Sequence, residues 1–61
     1  MRTDFGMIEV QLQDETGNWR TFSVTQNIPP MIIAAEKQLA SQFPGKRVRA
    51  VDSNGRLVDI L

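Results

Sequence analysis

Residues 7–13, MIEVQLQ, alternate between apolar and polar types without a break. Ile8, Val10 and Leu12 take one side; Met7, Glu9, Gln11 and Gln13 take the other. A period of two over this length predicts a half-buried strand. Residues 19–25, WRTFSVT, are rich in aromatic and β-branched types and predict a second strand. DETGN joins the two. Asp at the first position and Gly at the fourth suit a type I turn followed by a left-handed glycine in a G1 bulge.

The same grammar returns near the end, where KRVRAVD and RLVDIL flank DSNG. A two-residue turn on Asn54-Gly55 competes there, but it would pair Ala50 with Asp59 and Val51 with Val58, mixing the two faces. The bulged turn pairs Asp52 with Arg56, Ala50 with Val58 and Val48 with Ile60, collecting apolar residues on one face. A one-residue slip would move every side chain across the sheet, so the pattern selects the bulged turn. In the first hairpin this register pairs Val10 with Phe22, Ile8 with Val24 and Leu12 with Arg20.

Between the hairpins, QNIPPMIIAAEKQLASQFPGK predicts a helix that starts at Pro30 and is stopped by Pro44-Gly45. At helical spacing Ile32, Ala35, Leu39 and Phe43 form a stripe with Met31 beside it. Lys37 and Ser41 lie opposite, and Ile33 and Ala40 fall off the stripe. The expected fold class is α+β, in ββαββ order: two hairpins in one four-stranded sheet with a single helix on one face. The expected core is Ile8, Val10, Leu12, Phe22, Val24, Ile32, Ala35, Leu39, Phe43, Val48, Ala50, Val58 and Ile60.

Strand order follows from burial. The last strand, LVDIL, is apolar on both faces, as a central strand would be. Beside the first strand it gives the order 2-1-4-3 with a parallel central pair. That layout resembles a shortened β-grasp, the ubiquitin-like arrangement, in element order alone, and it implies no activity. An all-antiparallel 2-1-3-4 order is the alternative.

Sixty-one residues allow one domain, 1–61, with residues 1–5 expected as a flexible tail. A chain this short hides only about 60% of its unfolded surface and holds a small margin of stability. It contains neither Cys nor His, so disulfides are excluded and zinc sites disfavoured; self-association remains as a source of stability. Seven basic residues balance seven acidic ones, which weighs against binding long nucleic acid through phosphates. There is no membrane-spanning run and the first residues do not read as a secretory signal, so the expected location is cytoplasmic.

Candidate chemistry is sparse. Nucleophile–base pairs built on His or Cys are impossible, and Ser23, Ser41 and Ser53 have no obvious base. Asp52-x-Asn54 matches only part of a calcium loop and is expected to serve its turn. No glycine belongs to a phosphate-binding pattern. Neither catalysis nor a cofactor or metal is expected.

What remains is the sheet face that one helix leaves open: Met7, Glu9, Gln11, Gln13, Trp19, Thr21, Ser23, Arg47, Arg49, Val51, Leu57, Asp59 and Leu61. Even-numbered side chains from 47 to 61 should lie beneath the helix and odd-numbered ones away from it, with Arg49 opposite Asp59 as an ordinary cross-strand pair. Trp19, Val51, Leu57 and Leu61 fit a purely solvated face less well, since a contiguous apolar group rimmed by polar residues points to contact. Trp19, Arg47, Arg49, Val51 and Leu57 are therefore the candidate partner-binding residues, for a protein partner or a homodimer. Binding of single-stranded nucleic acid, with Trp19 as stacking platform and Lys46, Arg47, Arg49 and Arg56 near phosphates, is the alternative; Glu9 and Asp59 oppose it.

Overall fold

A computed structural model describes residues 6–61; the tail expected over residues 1–5 lies outside the described residues. The elements follow in the expected order: β1 (Met7–Gln13), β2 (Trp19–Gln26), α1 (Pro29–Gln42), β3 (Val48–Asp52) and β4 (Leu57–Ile60). The fold is α+β, with one helix against a four-stranded antiparallel sheet.

Both turns form as their residues require. Gly17 and Gly55 take positive φ values of 90° and 81°, and each donates its amide to the Asp that opens the turn, at 3.0 and 2.9 Å. The Asp side chains complete the loops. Asp14 Oδ1 accepts from the Thr16 and Asn18 amides, and Asp52 Oδ1 from those of Asn54 and Arg56. Asp14 is held well below the usual carboxylate range, first by the Thr16 hydroxyl and then by Arg20. The Arg56 amide does most to lower Asp52. A Cβ at Gly55 would meet nothing within 4 Å, so only backbone strain opposes one there. Gly17→Ala and Gly55→Ala should each lower stability by about 1 kcal/mol. Urea unfolding should show this as a lower midpoint at unchanged slope.

The strand order is β2-β1-β3-β4, the all-antiparallel alternative rather than 2-1-4-3. β3, not β4, lies beside β1, and the expected parallel central pair and β-grasp-like layout are not formed. The pairing of β1 with β3 explains the outcome: Leu12 meets Val48, Val10 meets Ala50 and Ile8 meets Asp52 with no break in register. Antiparallel ladders are also slightly more stable per residue than parallel ones.

Each edge strand carries a bulge. In β2 the register shifts at Phe22, so Val10 faces Ser23, Glu9 faces Val24 and Ile8 faces Thr25; only Leu12–Arg20 pairs as expected. In β4 the register shifts at Val58. Val51 faces Leu57, Ala50 faces Asp59 and Arg49 faces Ile60. Bulges are common on edge strands, where they turn the strand and interrupt a ladder that could template further pairing. Here they also invert side-chain parity. Val24 and Ile60, expected in the core, stand on the open face, whereas Ser23 and Asp59 turn to the helix side. Leu61, whose amide donates to the Val48 carbonyl, has the parity of Asp59. The odd–even rule therefore holds along β3 and fails beyond the β4 bulge. The apolar character of LVDIL on both faces reflects this inversion, not two-sided burial.

α1 begins at Pro29, one residue earlier than expected. Its backbone packs closely on β1, β2 and β3 but not on β4, which it meets only through side chains. The core is accordingly narrow: Ile8, Val10 and Leu12 from β1, Ile32 and Leu39 from α1, Val48 and Ala50 from β3. Phe22, Phe43 and Val58 are substantially exposed at its margins. The two phenylalanines meet edge to face at 5.3 Å between centroids.

Candidate functional site

The open face is ordered in cross-strand rows. At one end Trp19, at the start of β2, lies opposite Gln13, whose amide donates to the Arg47 carbonyl. The next row runs Thr21–Gln11–Arg49–Ile60, and the next Val24–Glu9–Val51–Leu57. The Arg49 guanidinium carbon sits 4.2 Å from the Trp19 ring centroid, a cation–π contact. Arg49 Nε donates to Gln11 Oε1 at 2.8 Å, Gln11 Nε2 to Thr21 Oγ1 at 3.1 Å, and Thr21 Oγ1 to Glu9 Oε1 at 2.7 Å. Polar groups across three strands thus satisfy one another, and Arg49 is paired with Trp19 and Gln11 rather than with Asp59.

The five candidate residues divide into two groups. Trp19 and Arg49 are in direct contact, with Arg47 exposed at the same end. Val51 and Leu57 are cross-strand neighbours of opposite exposure: Val51 is 3% exposed and Leu57 58%. Val51 is therefore shielded although it lies on this face, and Leu57 is its exposed neighbour. Ile60, 51% exposed, extends the apolar surface along β4, and Val24, 54% exposed, stands on the far edge of the sheet beyond Val51 and Glu9. Alternation alone predicts both in the core, and only the bulges bring them out.

The other side of the sheet holds a feature that residue type concealed. Glu36 is completely buried, and neither carboxylate oxygen has a hydrogen-bond partner among the described residues. It lies four residues after Ile32 and three before Leu39, on the buried stripe of α1. That spacing could have located it. Burial, and then Asp59 beside it, push its pKa up to about 7. When protonated, Glu36 can donate to Asp59; when ionised, two carboxylates face each other with no donor between them. The β4 bulge places Asp59 there. Between the start of α1 and β4 lies a groove of about 190 Å³ lined by Asn27, Pro29, Ile32, Ile33, Val58 and Asp59.

Among the described residues no cluster of acidic side chains is arranged to hold a metal ion, and no helix is long and apolar enough to cross a membrane. No protein family model, curated protein or solved structure matches the chain.

Proposed function

We propose that this chain is a small non-enzymatic interaction module that binds a protein partner, or a second copy of itself, through the open face of its sheet. The observation that carries the proposal is the exposed apolar pair Leu57 and Ile60 on β4, with Ile60 next to Arg49 of the Trp19–Arg49 stack. Large aliphatic side chains on a face rimmed by a satisfied polar network are what a partner can cover without stranding a polar group. Trp and Arg are the residue types most enriched at binding hot spots. A cytoplasmic setting belongs to the same proposal, since a chain without cysteine suits a reducing compartment.

Single-stranded nucleic acid has less support. Arg49 already occupies a face of Trp19, and Glu9 lies within the same network, where it would repel phosphate.

Sedimentation across a concentration series tests self-association through this face. Dimerisation should weaken by about thirtyfold in Leu57→Ala or Trp19→Ala, as for a contact contributing about 2 kcal/mol. If the chain instead binds a different protein, the same variants should weaken that complex to a similar degree. A dimer or complex unaffected by both substitutions would exclude the open face as the contact surface.

A further inference from the structure

The groove beside β4 lies on the side of the sheet opposite the proposed contact face, and its chemistry differs. Apolar side chains make its walls, Asp59 stands at its edge, and the buried Glu36 lies next to Asp59 with two unpartnered oxygens. None of the ion pairs among the described residues involves either acid. The nearby start of α1 does not attract anions as helix starts commonly do. Pro29 and Pro30 have no N–H to offer, and the Met31 and Ile32 amides both donate to the Ile28 carbonyl at 2.9 and 3.0 Å. Among the described residues the local charge is therefore acidic and uncompensated. About 190 Å³ falls below the roughly 300–1,000 Å³ typical of small-molecule pockets, but it accommodates one long side chain.

We propose that this groove receives an arginine or lysine side chain of a partner polypeptide, its alkyl stem against Ile32, Ile33 and Val58 and its cationic head at Asp59, with Glu36 behind. A long basic side chain matches both halves of the site, an apolar stem for the walls and a charge for the acids. Occupation supplies a counter-charge that no described residue gives the two carboxylates. The proposal does not depend on the open face.

Capped Leu-Arg-Leu, titrated into the full chain and followed by amide NMR, tests it against capped Leu-Gln-Leu. Shifts should centre on Asn27, Ile33, Val58 and Asp59, and the glutamine peptide and the Asp59→Asn variant should each bind about tenfold more weakly. Affinity for the arginine peptide should rise between about pH 5.5 and 8 as Glu36 ionises, and this rise should vanish in Glu36→Gln. Asp59 is the charged group facing Glu36. The other elements packed around α1 present Ile8 and Val10 from β1, Phe22 and Ser23 from β2, and Val48 and Ala50 from β3. Equal binding of the two peptides would overturn the proposal, as would shifts centred on Trp19 and Leu57 or no shift at millimolar peptide. Groove shifts that appear on raising protein concentration without peptide would also overturn it, by identifying a second copy as the occupant.

Discussion

At about pH 8, Glu36→Leu should stabilise the domain by on the order of 2 kcal/mol. Glu36 is fully buried without a hydrogen-bond donor, and its pKa is raised from an ordinary 4.5 to about 7. The folded state therefore holds this proton more tightly than the unfolded chain does. Its contribution is fully present below about pH 4.5 and is lost as pH rises through about 7. Asp14 and Asp52 act in the opposite sense. Their values are depressed, so their contributions are present above the ordinary carboxylate range and fall away in acid. Stability should peak in mild acid, near pH 5, and decline towards pH 8. Glu36→Gln, which keeps a donor for Asp59 but cannot ionise, should remove most of the decline on the alkaline side. Urea unfolding at several pH values measures both effects. A wild-type profile flat between pH 5 and 8 would contradict them.

Leu39→Ala should leave the chain largely unfolded at 25 °C. Leu39 is 5% exposed and packs with Val10, Leu12 and Val48, which joins the helix to both central strands. Truncating a buried leucine costs about 2–5 kcal/mol. A domain of this size seldom has more than roughly 3–5 kcal/mol in total. Phe43→Ala supplies the contrast. Phe43 is larger, yet it sits at the core margin at 36% exposure and meets Phe22 edge to face, so its loss should be the milder one. Circular dichroism and amide dispersion should show a folded Phe43→Ala and a collapsed Leu39→Ala. Equal effects would mean that the core extends out to the phenylalanine pair.

Local chemistry made most of the elements readable from the amino-acid pattern. MIEVQLQ alternates cleanly and forms β1 over the same residues, and Asp14–Gly17 and Asp52–Gly55 form the turns their residue types require. The bulges were not readable. WRTFSVT alternates as though regular, yet Phe22 and Ser23 both turn to the helix side and Val24 is reversed. An extra residue on one strand leaves no mark in composition, because it depends on what that strand packs against. The same is true of β4, where the shift at Val58 gives LVDIL an apolar residue on each face and makes an edge strand resemble a central one. Of the candidate contact residues, Trp19, Arg49, Val51 and Leu57 lie on the expected face of the sheet, since they precede the bulges or lie in the uninterrupted β3. Asp59 follows a bulge and lies on the helix side rather than the open face that alternation predicts. Glu36 carries no mark of burial in its residue type; only its spacing from Ile32 and Leu39 sets it among buried neighbours.

The arrangement around Glu36 depends on the β4 bulge turning Asp59 to the helix side, and the carboxyl-carbon NMR titration of Glu36 measures that most directly. Burial and the neighbouring Asp59 predict a midpoint near 7 in the wild-type chain and a lower one in Asp59→Asn. A wild-type midpoint at the ordinary glutamate value, unchanged by Asp59→Asn, would contradict a Glu36 buried beside Asp59.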